Sequence, residues 1–184
     1  MMNSWKTVNF SKQYGSQRIY FMSSLTMILC FIIFYVPAQY LFEANVLYDN
    51  YFILFVMAIW LIYPFHKLLH FVPVAHLGNK MKKLLEFKCG VFPIIQIKIY
   101  EPISKWLFLF ALLFPFIIIN SILIGACILF PHYVHYFTIL LAFHVGICFP
   151  DMICAKNVIT APNCSYIEEN DDGIEILLEN RNNY

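Results

Sequence analysis

His66 and His70 stand four residues apart in Tyr63-Pro64-Phe65-His66-Lys67-Leu68-Leu69-His70. On a helix that spacing puts two imidazoles on one face, one turn apart, which is how a single helix offers two nitrogens to one metal ion. The same spacing also occurs on helices that bind nothing, so the pair alone does not decide the chemistry. Asp151, in His144-Val145-Gly146-Ile147-Cys148-Phe149-Pro150-Asp151, adds a third group. It is the only acid in the apolar stretches of the chain. At mid-membrane an ionisable group costs roughly 2.5–3.5 kcal/mol, so it should face inward and have a partner. Two imidazoles and one carboxylate suit Zn²⁺, with a fourth position left for water. His144 lies seven residues before Asp151, on roughly the same helical face, and is expected as a further ligand or as a support behind one.

These groups need elements to hold them, and composition says which. Of 184 residues 61% are hydrophobic and only 12% charged, about half the charge of a soluble domain. Residues 19 to 42, 50 to 66 and 106 to 150 contain no Asp, Glu, Lys or Arg. A membrane-crossing helix needs about 20 apolar residues, so the runs accommodate four spans, expected at 19–41, 51–69, 106–129 and 133–153. Phe130-Pro131-His132 breaks the longest run, because the residue before a proline disfavours the helical conformation. The expected fold class is an all-α membrane protein, a single domain of four transmembrane helices with a small β element. A cleaved leader is not expected, because the first run is too long and ends in Pro37-Ala38-Gln39-Tyr40 rather than a cleavage site.

Four spans place all 12 Lys and Arg on one side, including Lys6, Lys12 and Arg18 before the first span and Lys156 and Arg181 after the fourth. That side is expected to be cytoplasmic, with both termini there, in a cell membrane. A cytoplasmic loop is expected at 70–105 and a tail at 154–184. In the loop, Ile95-Gln96-Ile97-Lys98-Ile99-Tyr100 alternates with period two and reads as a strand. In the tail, β-favouring residues flank Asn170-Asp171-Asp172-Gly173, a hairpin signal whose third strand is expected to be the loop strand. Residues 179 to 184 are expected to be disordered. The partner is the lipid bilayer, with Lys80, Lys82 and Lys83 as a solvated juxtamembrane face. No basic surface or motif for nucleic acid is present.

The remaining candidates read more plainly. His76 is expected to be interfacial, and His132 and His135 a solvated loop with no carboxylate nearby. The six cysteines form no Cys-x-x-Cys pair and read as small apolar side chains. Asn120 is the one amide deep enough to suggest a bond between helices.

The histidine pair on a span, the basic loop with its strand, and the late His-Gly-Asp pattern together resemble the Putative zincin peptidase family of small bacterial multi-pass membrane proteins. That family is similar in plan to the site-2 intramembrane metalloproteases. The resemblance runs from about Lys12 to Leu178. It implies His66, His70 and Asp151 as zinc ligands and a strand near Ile95 able to hold an extended membrane peptide. The chain departs from the motif H-E-x-x-H at its second position, where Lys67 stands. The motif's glutamate takes a proton from the attacking water and returns it to the leaving amine. A lysine is cationic at neutral pH and offers no lone pair until its pKa falls by about three units. Substitutes would have to come from Glu86, Glu101, Glu168 or Glu169. Three readings follow: a zincin-like metal-binding protein with degenerate catalysis, an active metal-dependent membrane peptidase with an unusual base, and a metal-free structural membrane protein.

Overall fold

The protein is described by a computed structural model covering residues 2–9, 13–41, 47–75, 81–88, 92–99, 102–170 and 173–179. Three uncharged runs form the helices α1 (Ser16–Leu41), α2 (Phe52–Phe71) and α3 (Lys105–Leu129). Each is long and apolar enough to cross a membrane, α2 with its continuation to Ala75. Phe21, Leu29, Ile33 and Val36 on α1 and Ile53, Leu54 and Leu61 on α2 turn outward and are exposed. A belt of this kind is costly against water and unremarkable against acyl chains.

The fourth expected span, 133–153, is not one helix. Helix α4 (Val134–Ile147) and helix α5 (Phe149–Ile159) meet at Cys148 with a 45° bend, after a single 3₁₀ turn at Pro131–Tyr133. The cause is Pro150, which has no N–H for the carbonyl four residues back and clashes with it. That carbonyl belongs to Gly146, and the hydroxyl of Ser23 on α1 donates to it. Gly146 also permits the approach of α1. A Cβ there would lie 3.0 Å from Cβ of Met27 and 3.2 Å from the carbonyl oxygen of Ser23.

The β part is larger than expected. Strands β2 (Met81–Lys88) and β3 (Phe92–Ile99) pair with each other as an antiparallel hairpin. The alternating segment is thus a strand, but it does not join the tail. Lys82 and Lys83, expected on a solvated face, fall within β2. Tail strands β5 (Ser165–Asn170) and β6 (Gly173–Glu179) form the expected hairpin. They combine with β1 (Met2–Val8) and the short β4 (Ile103–Ser104) in an antiparallel sheet of order β1-β6-β5-β4. Glu179 therefore ends a strand opposite Met2, while the rest of the expected disordered tail, 180–184, lies outside the described residues. Gly173 has φ +149°, and a Cβ there would fall 2.1 Å from the Val8 carbonyl oxygen, so the β1 to β6 contact needs a glycine.

This sheet holds α5. Val8, Ile103, Ile167, Ile174 and Ile176 are buried with Phe108 and Leu109 of α3 and Cys154, Ala155 and Val158 of α5 in one apolar core. Lys6 Nζ donates to Asn157 Oδ1 at 3.3 Å. Lys105, 3% exposed, donates to the carbonyls of Ile159 at 3.0 Å and Ala161 at 2.5 Å. A buried ammonium spent on the last carbonyls of a helix complements its dipole. A second core, with Ile62, Ile119 and Leu140 at its centre, joins α2, α3 and α4. The packing at the bend yields the first prediction. Gly146→Val should cost about 1–3 kcal/mol of overpacking, read as a lowered Tm in detergent, whereas Gly125→Val, where a Cβ meets nothing within 4 Å, should leave Tm nearly unchanged.

Candidate metal centre

The proton positions around the two helical histidines follow from their neighbours. His70 Nδ1 lies 2.9 Å from the carbonyl oxygen of Ala111. A carbonyl only accepts, so Nδ1 carries the proton and Nε2 keeps the lone pair. That carbonyl is available because Ala111 lies four residues before Pro115 on α3, and a proline has no N–H to offer it. On the other histidine the chain of contacts is longer. Asn120 Oδ1 accepts from His144 Nδ1 at 2.8 Å. His144 Nε2 then accepts from His66 Nδ1 at 3.1 Å. His66 Nε2 is left with a lone pair.

These lone pairs converge. His66 Nε2 is 3.0 Å from His70 Nε2 and 3.0 Å from Asp151 Oδ2, and His70 Nε2 is 3.5 Å from the same oxygen. Ligands about 2.0–2.1 Å from a tetrahedral Zn²⁺ are spaced about 3.3 Å apart. The three atoms therefore have the spacing of one face of such a tetrahedron. Three acceptors this close repel one another unless a cation lies between them, so the donor set fits a metal ion. His66 is only 1% exposed, whereas His70 and Asp151 are 18% and 16% exposed on their side chains. The cluster is closed behind His66 and reachable from the other side, which leaves room for a fourth, exchangeable ligand.

Each member is placed by a different element. α2 supplies His66 and His70 from one face, as their spacing predicts. Asp151 comes from the first turn of α5, aimed by the bend at Cys148. His144, from the last turn of α4, lies behind His66 at Nδ1 rather than beside Asp151, because the bend separates two positions that a straight helix would keep on one face. From there it can fix the tautomer and orientation of the His66 ring, as partners behind a metal-binding histidine do. Cys148, read from sequence as a small apolar filler, has its Sγ 3.5 Å from His144 Nε2 and 3.8 Å from His66 Nδ1. The groups of three ligating side chains among the described residues are His66-His70-Asp151 and His66-His144-Cys148.

The position after His66 is as the sequence has it. Lys67 is half-buried on α2, and its charge acts on the carboxylate of Asp151. His66 and His70 also act on that carboxylate. Glu168 and Glu169 lie on β5, where Glu168 faces Glu175 across the hairpin. Glu86 falls in β2, and Glu101 and His76 lie outside the described residues. At the opposite end of the helices, His132 stacks on Tyr48 with ring centroids 4.6 Å apart. His135, expected in a solvated loop, instead lies in the first turn of α4, mostly buried, with its Nε2 3.4 Å from Asp49 Oδ1, so a carboxylate does reach it, contrary to expectation. It arrives from the α1 to α2 connection, which the sequence separates from His135 by the whole of α2 and α3.

A model of the family described as Putative zincin peptidase matches residues 59–166, more than half of the chain. The chain belongs to that family. Comparison with curated proteins and with solved structures gave no significant match. The matched segment contains every residue of the two clusters, together with Asn120, Pro115 and Pro150. The relay behind His66 predicts that Asn120→Ala lowers zinc affinity about 10–100-fold, the range for loss of an orienting partner. A competition titration against a chromophoric chelator in detergent would read this, with Asn120→Asp, which retains an acceptor oxygen, recovering most of the loss.

Proposed function

We propose that this member of the zincin family is a multi-pass membrane protein that holds Zn²⁺ between His66, His70 and Asp151 and binds, rather than efficiently cleaves, a membrane-associated peptide or protein. The observation that carries the reading is the convergence of three lone pairs at 3.0–3.5 Å, each aimed by a separate neighbour. Bound zinc would act as a Lewis acid on a carbonyl and lower the pKa of a water. What the chain itself supplies is incomplete for hydrolysis. His66 and His70 are oriented by the His144-Asn120 relay and the Ala111 carbonyl, and Asp151 contributes the one negative charge. The residue that in the H-E-x-x-H motif moves the proton from water to the leaving amine is Lys67. Its ammonium has no acceptor lone pair, and beside a divalent cation it adds repulsion instead of taking a proton. Loss of a general base alone typically removes about 10²–10⁴ in rate.

The sidedness argument supports placing both termini and the β elements in the cytoplasm. β1 and β6, drawn from opposite ends of the described chain, share a sheet with β4, which directly precedes α3. All three segments therefore meet at one end of the helices, where Lys6, Lys105 and Lys156 also lie. The test is metal analysis of the purified chain. One Zn²⁺ per chain is expected, absent from His66→Ala and Asp151→Ala. If zinc is not bound at all, the cluster is a metal-free network of paired side chains and the proposal fails. Lys67→Glu should then raise hydrolysis of a membrane peptide by about 10²–10⁴. Chelator-sensitive cleavage by the natural chain at the rate of that variant would show that another group serves as base.

A further inference from the structure

The second cluster lies on the far side of His66 and is fully enclosed. His66, His144 and Cys148 are 1%, 0% and 1% exposed. Their donor atoms are 3.1, 3.5 and 3.8 Å apart: His66 Nδ1 to His144 Nε2, His144 Nε2 to Cys148 Sγ, and Cys148 Sγ to His66 Nδ1. Three donors about 2.0–2.3 Å from a common centre in a trigonal plane are spaced about 3.5–3.7 Å. We propose that His66 Nδ1, His144 Nε2 and Cys148 Sγ form a second metal site, selective for a soft monovalent ion of the copper(I) class, and that its occupation excludes zinc from the His66-His70-Asp151 centre.

Charge and ligand softness select the ion. A thiolate with two neutral imidazoles carries one negative charge, so a monovalent ion makes the enclosed set neutral, whereas a divalent ion would leave a net charge buried among apolar side chains. Thiolate and imidazole suit copper(I), which is content with three ligands and needs no water in a site that is closed to it. On binding, the Cys148 thiol loses its proton to solvent and the sulfur donates an electron pair to the ion. No electron is transferred, because the ion enters as copper(I) and stays so.

Exclusion follows from the ring of His66, which has two nitrogens and, as a neutral imidazole, one proton. With the proton on Nδ1, bonded to His144 Nε2, the lone pair at Nε2 serves the first centre. For Nδ1 to bind copper(I), the proton must sit on Nε2, where Asp151 Oδ2 at 3.0 Å accepts it. The same shift removes one ligand from the first centre and engages a second. His144 needs no change, since its Nδ1 proton stays on Asn120 Oδ1 and its Nε2 lone pair turns from His66 to the ion. The exclusion rests on the zinc reading of the first centre, but the existence of the second site does not.

The test titrates the full chain in detergent, without oxygen, with copper(I) held by bicinchoninate as competitor. One tightly bound copper(I) per chain is expected. Affinity should fall at least 100-fold in Cys148→Ser and be kept in His70→Ala, which removes a ligand of the first centre and leaves the three donors of the second and the Asp151 acceptor in place. X-ray absorption at the copper edge of the natural chain should show one sulfur and two nitrogen neighbours, a readout that does not depend on the folding of a variant. A copper spectrum without sulfur, or copper binding unchanged in Cys148→Ser, overturns the site. Copper(I) added to zinc-loaded chain should release zinc one for one, and a chain holding both ions together overturns the exclusion. A chain that never binds zinc defeats the first reading, and the Cys148→Ser titration then still decides the second.

Discussion

Three unprotonated acceptors held within about one ligand spacing of each other are the constraint around which this structure is built. Such an arrangement is repulsive by itself, and side chains free to choose would rotate to interpose a proton. They are prevented from doing so by hydrogen bonds on their far sides, from His70 to a backbone carbonyl and from His66 through His144 to Asn120. Both devices depend on burial: a ring nitrogen enclosed among apolar helices, as in His66 and His144, has few partners, so a single acceptor fixes which nitrogen carries the proton.

Two prolines make the geometry possible. Pro115 vacates the Ala111 carbonyl, which His70 then uses, and Pro150 vacates the Gly146 carbonyl, which Ser23 uses. Proline inside a helix is normally a cost, but where a neighbouring side chain takes over the carbonyl it becomes a way of adding a bond between helices. The bend caused by Pro150 also puts Cys148 and Asp151 on opposite sides of one imidazole. The aim of Asp151 in turn depends on the four-stranded sheet, since Lys6 and Lys105 tie α5 to β1 and to the start of α3.

The helices were readable because long uncharged runs of apolar residues suit a membrane-crossing helix, and the proline at 131 marks where the longest run breaks. The His66, His70 and Asp151 cluster was readable for a related reason: a helical repeat fixes the first two, and a lone acid in an apolar stretch must find a partner. The bend was not read, although Pro150 stands in plain view, because a periodicity argument treats 133–153 as one rod. With the rod assumed straight, His144 falls beside Asp151 and Cys148 has no role. Strand β1 was missed because Met2–Val8 has little apolar alternation of its own, and a bulge between Ser4 and Lys6 shifts what there is. Its conformation comes from β6, a tertiary cause that no local pattern carries.

The pairing of β1 with β6 also dictates an order of events during synthesis. Residues 2–8 are made before the helices α1 to α5 and residues 173–179 after them, so β1 waits through the synthesis of all of these before its neighbour exists. Contacts of such wide separation form late, because a long loop must close before they are rewarded. α5 gains its full support only then, and an ion arriving earlier would meet two imidazoles without a secured carboxylate. The arrangement around His66, His70 and Asp151 thus gains its last support only once β6 exists, and a chain released before Glu179 lacks the strand that completes the core around α5.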